Sequence, residues 1–276
     1  MKVVVAKDSG YCFGVRDAVN LAYKTSQEYD EVYMLGDIVH NERVVEDLNK
    51  AGAKVVDSLN QVPDDKPLLL RAHGSKKSTW KDAKSKGLHI IDATCPLVHE
   101  IHKDVKKLHD DGRQIIIVGD HGHDEVLAIA DQVPNAIILS CIEEAKKMKK
   151  FKKVGVVSQS TQTIENVQGI ISILMEKVFD LRFVNTICFP TKRNQEQIKH
   201  LANTMDIMII IGSFTSANSK RLTLLSKKIN SNTYQVTCKD DLKDRWFNNC
   251  DSVGISAGAS TPDYLIDEVK NKIISL

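Results

Sequence analysis

Three cysteines stand in matching surroundings: Cys12 in GYCFGV, Cys95 in DATCP and Cys188 in TICFP. Each comes after a short apolar run and before a helical pattern, which Pro96 leads in the second case and Pro190 precedes in the third. At a helix N-terminus the free amides and the helix dipole favour a thiolate over a thiol. Counting forward, 40−12, 123−95 and 216−188 all equal 28, landing on His40, His123 and Ser216. Further polar residues follow later apolar runs: His73 in RAHG, Gln159-Ser160-Thr161 in SQST and Ser260 in AGAS. A lone free cysteine is most often a small buried hydrophobe, but that role does not produce one offset three times. Cys141, Cys238 and Cys250 lack such equivalence across all three places and read as structural.

Structural zinc sites close four ligands, and Fe–S clusters used only for electron transfer are usually held by four thiolates. A cubane on three thiolates leaves one iron open, able to pass electrons and to act as a Lewis acid toward a substrate oxygen. Around it His40, His73, His123, Ser216, Asn218 and Ser260 read as hydrogen-bond donors to an anion. Neither G-x-x-x-x-G-K nor G-x-G-x-x-G occurs, so the anion is a compact phosphate or diphosphate rather than a nucleotide. Imidazoles titrate near neutrality, so anion binding should strengthen with acid. Glu125 in HGHDE is the candidate proton donor; its alternative role is a solvated carboxylate in a first helical turn.

What must position these residues is a set of strands. Twelve short apolar runs, without the alternation of half-exposed strands, read as buried parallel strands. They form three sets of four: KVVVA, EVYMLG, AKVVD and PLLLRA; HIIDAT, QIIIVG, AIILS and KVGVVSQ; FVNTI, IMIIIG, TYQVT and SVGISA. Helical patterns separate most of them, as with Val15, Ala18, Val19 and Ala22. The expectation is α/β, with three pseudo-symmetric domains at 1–95, 96–187 and 188–276, each around a mostly parallel four-stranded sheet. Ligands of such sheets bind beyond the carboxyl ends of the strands, so three sheets with those ends inward would bring the three cysteines to one centre.

Composition narrows the partners. The 276 residues are 42% hydrophobic, 27% charged and 5% aromatic with a net charge of +2, which fits a globular chain and argues against nucleic acid. Length alone suggests about two domains. No signal-peptide pattern or membrane-length apolar run is present, so the expectation is a cytoplasmic chain without membrane contact. The absence of any C-x-x-C and the reducing compartment argue against a disulfide framework. The basic run Lys146 to Lys153 reads first as a solvated helix end or linker, with a dock for an acidic partner as the alternative.

The motifs GYCFGV, DIVHN, RAHG, DATCP, HGHDE, SQST, TICFPT, SFTSANSKRL and SAGASTPD together resemble the 4-hydroxy-3-methylbut-2-enyl diphosphate reductase family along nearly the whole chain. The resemblance implies three α/β domains around one [4Fe-4S] cluster, ligated by Cys12, Cys95 and Cys188 with one iron not held by protein. It implies contacts to an allylic diphosphate from His40, His73, His123, Ser216, Asn218 and Ser260, proton delivery by Glu125, and orientation of the substrate hydroxyl by Ser160. The implied reaction is a two-electron dehydroxylation to isopentenyl and dimethylallyl diphosphates, the last step of the methylerythritol phosphate route to isoprenoids. A ferredoxin or flavodoxin would supply the electrons, and the Lys146 to Lys153 run would be its dock. Two departures stand out. Ser160 keeps the hydroxyl of a commoner threonine without the methyl that restricts its rotamer, and Ala217 replaces a frequent serine, leaving only a backbone amide for contact. A monomer is expected.

Two other readings compete: a zinc hydrolase using His121, His123 and Glu125, and a non-catalytic Fe–S sensor of a phosphorylated metabolite. The first leaves the cysteine register unexplained; substrate-dependent oxidation of a reduced donor separates the enzyme from the second.

Overall fold

In the computed structural model, which describes residues 1–276, the apolar runs become twelve strands. These are β1 Lys2–Val5, β2 Val32–Leu35, β3 Ala53–Val56, β4 Leu68–Leu70, β5 Ile90–Asp92, β6 Gln114–Val118, β7 Ile137–Leu139, β8 Phe151–Ser158, β9 Val178–Phe183, β10 Ile207–Ile211, β11 Thr233–Val236 and β12 Ser252–Ala257. Ten helices lie between and after them: α1 Phe13–Tyr29, α2 Glu42–Lys50, α3 Lys77–Ser85, α4 Pro96–Asp110, α5 Asp124–Ala130, α6 Ile142–Lys147, α7 Ile164–Met175, α8 Phe189–Thr204, α9 Ala217–Ile229 and α10 Asp263–Ile274.

The strands form three four-stranded sheets, β1-β12-β10-β11, β3-β2-β4-β5 and β7-β6-β8-β9, and every pairing is parallel. Each sheet therefore joins the second, third and fourth strands of one set to the first strand of the next. β5 lies beside β4, β9 beside β8, and β1 returns to β12. Consecutive strands joined by a crossover helix prefer to be neighbours, so β4–α3–β5 is the natural unit. In sequence terms, 1–95 supplies β2 to β5, 96–187 supplies β6 to β9, and 188–276 supplies β10 to β12, with β1 leaving its own segment.

One strand is misplaced by the sequence pattern. FVNTI was expected to form it, but β9 ends at Phe183 and residues 184–188 run as a loop. There the Thr186 hydroxyl replaces the ladder: it accepts from the Ser158 amide at 2.7 Å and donates to the Ser158 carbonyl at 2.6 Å.

The continuous hydrophobic runs are explained by burial on both faces. In β10, Ile207, Ile209 and Ile211 enter a core with Val253, Ile255, Ile266 and Val269, while Met208 and Ile210 pack on the other side with Ile198 and Leu222. β6 does the same, Ile116 and Val118 against Val167 and Ile170, Ile115 and Ile117 against Ile101 and Val105.

The chain falls into two compact units. One comprises Met1–Arg16, Val39–Glu46 and Phe189–Leu276 and contains the β1-β12-β10-β11 sheet; the other comprises Asp17–Ile38 and Asp47–Cys188 and contains the remaining two. In each sheet the order reverses between two central strands, opening the crevice where open α/β sheets take their ligands. For β10 and β12 the residues beyond it are Ser216 and Ser260; for β6 and β8 they are His123 and Ser160.

Candidate functional site

All three cysteines stand immediately before a helix, at the starts of α1, α4 and α8, and all are outside any disulfide and of intermediate exposure. Their amides are used alike. Cys12 N–H donates to Ala259 O at 3.3 Å, Cys95 N–H to Ala72 O at 3.0 Å and Cys188 N–H to Ser160 O at 2.9 Å. The acceptors each lie two residues past the end of a strand, at Ala257, Leu70 and Ser158. Because the first strands are exchanged, each cysteine is fastened to the polar turn of the preceding set. The turn before Cys95 is braced further. Asp92 Oδ1 accepts from the Thr94 amide at 3.0 Å and its hydroxyl at 2.5 Å, and Asp92 Oδ2 lies 2.9 Å from His99 Nε2. Phe13 and Phe189, each directly after a cysteine, stack at 5.6 Å with 8° between their planes.

In the larger unit, His73, His123, Glu125 and Ser160 come together. His123 is the N-cap of α5, its Nδ1 accepting the Glu125 amide at 3.2 Å. The His73 and His123 rings meet edge to face, 5.7 Å apart at 86°. Glu125 is only 2% exposed. Its Oε1 accepts the Ser160 amide at 2.6 Å and its Oε2 the Ser160 hydroxyl at 2.9 Å. The solvated-carboxylate alternative is thereby removed: this is a buried acid gripped by one serine. Beneath the turn after His73, Gly74 has φ +80, and a Cβ there would lie 3.1 Å from His102 Cε1. His102 is buried with no hydrogen-bond partner on Nε2. Burial first, then the charges of His99 and Lys106, push its pKa down to about 4, so the ring is neutral.

In the smaller unit, His40, Ser216, Asn218 and Ser260 are gathered. Ser216 is the N-cap of α9, its hydroxyl oxygen accepting the Ser219 amide at 3.3 Å. This end of α9 can approach the sheet because Gly212 and Gly258 lack side chains; a Cβ on either would overlap Ser219 Oγ. Ala217 opens α9, so its amide is among those a helix leaves without an internal acceptor. Asn218 is 7% exposed and its Nδ2 has no hydrogen-bond partner. A buried donor without an acceptor costs about 1–3 kcal/mol, which a bound anion would relieve. Ser260 Oγ donates to His40 O at 3.0 Å, so its proton holds the His40 loop. Ser213 Oγ also donates to Glu42 Oε1 at 2.6 Å, tying the turn before Ser216 to the start of α2.

The zinc alternative loses its geometry. His121, expected to share a zinc ion with His123 and Glu125, turns to Glu144, Nε2 lying 3.0 Å from both oxygens, while Glu125 is committed to Ser160. The basic run is divided among the end of α6, a short link and the start of β8, with Lys149 Nζ 5.3 Å from the Phe151 ring centre. It lies at the amino end of β8, about 23 Å along the strand from the turn that meets Cys188. The structure contains no cluster of three or more His, Cys, Asp or Glu side chains closed into a metal site. The tripod therefore rests on residue type, register and helix position.

Thr161, named with the SQST segment, lies three residues beyond β8 in the register of His73 and Ser260 and receives Gln159 Nε2 at 3.2 Å. Other contributors carried no sequence signal of their own. Glu42, Asp92 and His102 act through long-range contacts that only the fold creates.

Known proteins resemble the chain along its length. A family model described as LytB protein matches residues 3–274. The chain is 37% identical over 274 residues to the 4-hydroxy-3-methylbut-2-enyl diphosphate reductase of Geotalea uraniireducens, covering 99% of this chain and 97% of that one. It is 38% identical over 275 residues to the reductase of the same name from Campylobacter hominis, at 99% and 98% coverage. Among solved structures, the E-1-hydroxy-2-methyl-but-2-enyl-4-diphosphate reductase from Plasmodium falciparum superposes with a TM-score of 0.94 at 28% identity, covering 100% of this chain and 87% of that one. A second, described as (E)-4-hydroxy-3-methyl-but-2-enyl diphosphate reductase, the terminal enzyme of the non-mevalonate pathway, matches at 35% identity with a TM-score of 0.72 and full coverage of both chains. The chain belongs to the LytB family, whose curated relatives are 4-hydroxy-3-methylbut-2-enyl diphosphate reductases.

Proposed function

We propose that this chain reduces 4-hydroxy-3-methylbut-2-enyl diphosphate to isopentenyl and dimethylallyl diphosphates, consuming two electrons and two protons and releasing the hydroxyl as water. The observation that carries the reading is the buried Glu125 carboxylate held by both the amide and the hydroxyl of Ser160, whose carbonyl in turn receives the Cys188 amide. An acid and a hydroxyl relay are thus fastened to the turn of one proposed cluster ligand.

Three cysteines outside any disulfide, each at a helix N-terminus where thiolate is favoured, are a donor set that fits an iron-sulfur cluster. Cys12, Cys95 and Cys188 would hold one [4Fe-4S] cluster with one iron free of protein ligands. When bound it supplies electrons and a Lewis-acidic iron toward a substrate oxygen. The chain's own groups do the rest. His40, His73, His123, Ser216 and Asn218 bind the diphosphate, joined by Ser260 once its hydroxyl turns from His40 O, each charge-assisted hydrogen bond contributing about 1.5–3 kcal/mol, and the unpartnered Asn218 Nδ2 supports an acceptor there. Ser160 Oγ orients the substrate hydroxyl and passes it a proton from Glu125. A ferredoxin or flavodoxin delivers the electrons. No helix is long and apolar enough to cross a membrane, and the proposed setting is a cytoplasmic monomer.

The test is iron, acid-labile sulfide and zinc per chain on anaerobically purified protein, followed by turnover with a reduced donor. Roughly four irons with matching sulfide and release of the two isomers are expected. Cys95→Ser should lose the cluster. Stoichiometric zinc without sulfide, or donor oxidation independent of substrate, would overturn the reading.

A further inference from the structure

Arg71 lies between the end of β4 and His73, and Asp124 lies between His123 and Glu125. Their side chains meet across the larger unit, Arg71 Nη1 to Asp124 Oδ2 at 2.5 Å, with 24% and 29% of each side chain exposed. The guanidinium has a made place. Gly36, just after β2 with φ +71, is beneath it, and a Cβ there would come within 2.9 Å of Nη1 and 3.2 Å of Cζ. Backbone bonds hold the same segment from both sides, Ala72 N–H to Ile38 O at 3.3 Å and Cys95 N–H to Ala72 O at 3.0 Å. Arg71 is thus anchored to the sheet that carries Cys95, while Asp124 belongs to a helix turn on the neighbouring sheet.

That helix, α5, is short, and its first turn carries both His123 and Glu125. Ser160 grips the turn from within its own sheet. From the other sheet, the first turn meets the His73–His123 ring pair and the ion pair, while the far end of α5 is tied to α3, Lys77 Nζ donating to Gln132 O at 2.5 Å and the Ser78 amide to Asp131 Oδ2 at 3.3 Å. Ring contact alone fixes distance poorly, whereas a half-buried guanidinium pinned on a glycine fixes both distance and direction.

We propose that Arg71 and Asp124 are positioning residues for the reductase reaction: their ion pair sets the first turn of α5, and with it His123 and Glu125, against the His73 turn. The proposal rests on the functional reading above. The variants are Arg71→Ala, Asp124→Ala, the double variant and Arg71→Lys, each prepared anaerobically with its cluster. Either alanine variant should lower kcat/KM by about tenfold, equivalent to about 1.4 kcal/mol, while the double variant falls no further, as expected for partners acting as one unit. Arg71→Lys should recover part of the loss, because it keeps the charge without the planar fork. Cluster content should stay unchanged, and the melting temperature should move by no more than about 4 °C.

A second readout needs no turnover. Hydrogen exchange at the Glu125 and Cys95 amides should quicken in both alanine variants, with distant amides unaffected. Additive losses, single variants within twofold of the parent, or unchanged exchange at those amides would each overturn the proposal. Should the parent protein fail to reduce the substrate, the functional reading falls, and the exchange result still decides whether the pair positions the turn.

Discussion

Replacing Glu125 by glutamine separates proton delivery from architecture. The carboxylate accepts two bonds from Ser160, at 2.6 and 2.9 Å, in a place 2% exposed to solvent. Glutamine keeps the shape. Its oxygen can still accept the Ser160 amide, and its nitrogen can donate to Ser160 Oγ, so both contacts survive with one reversed in polarity. The change from charge-assisted to neutral bonds costs about 1–2 kcal/mol of stability at most. Catalysis should suffer much more, because an acid–base group supplies about 10²–10⁴ in rate, or about 2.7–5.5 kcal/mol of barrier. Single-turnover reduction in the cluster-loaded protein should therefore slow by at least about a hundredfold, with substrate affinity and cluster spectrum nearly unchanged. Ser160→Ala, which removes only the hydroxyl, should slow the same step while leaving the amide bond to Glu125. Turnover within a few fold of the parent in the glutamine variant would refute the argument, since no other group on the Ser160 turn could then be said to need this acid.

Asn218→Ala removes a buried donor that has no partner in the free protein; isothermal titration should show diphosphate binding weakened by about tenfold or more, while thermal stability holds or rises, since an unsatisfied group costs about 1–3 kcal/mol. Unchanged affinity would remove Asn218 from the anion site. His102 keeps a folded pKa of about 4 against an ordinary 6.5, so its contribution is fully present above about 6.5, falls as the unfolded chain takes up a proton, and is lost below about 4; 2.5 units correspond to about 3 kcal/mol. Urea unfolding from pH 7.5 to 4 should show His102→Leu with a shallower loss than the parent, and equal slopes would contradict it. Reversing Lys149, Lys150 and Lys152 to glutamate should leave the KM for a ferredoxin or flavodoxin unchanged, because these residues sit at the amino ends of the strands; a rise of tenfold or more would return the run to the docking role.

The parallel sheets were legible because β10 and β6 read as unbroken aliphatic runs, a pattern that burial on both faces requires. The cysteine positions were legible too, since Pro96 and the apolar run before it mark a strand followed by a helix start. Strand exchange was not, because grouping by cysteine begins each set at the strand that actually closes the preceding sheet. Thr186 shows why β9 was misread: a β-branched residue favours strands, but its hydroxyl bonds both backbone groups of Ser158 and ends the strand instead. The His123 and Ser216 caps were hidden for a related reason. Both residues were read as donors to a ligand, yet part of each side chain serves its own helix.

The repeated register explains how one backbone plan carries different chemistry. Two residues beyond His40, His123 and Ser216 stand Glu42, Glu125 and Asn218, at the first turns of α2, α5 and α9. Spacing alone treats Glu42 and Glu125 as equals. Their surroundings do not: Glu42 is exposed and takes the Ser213 hydroxyl, whereas Glu125 is buried and held by the amide and hydroxyl of Ser160. The reason lies in the acceptors of the cysteine amides. Ala72 and Ala259 occupy two of those places and Ser160 the third, so only one of the three turns presents a hydroxyl where a carboxylate from the neighbouring helix can reach it. Proton transfer needs a carboxyl group and a hydroxyl within hydrogen-bond reach of each other. Among these register positions, only Glu125 is a buried carboxylate bonded to a hydroxyl of a turn that fastens a cysteine, which is why it is the one carboxylate proposed to deliver a proton.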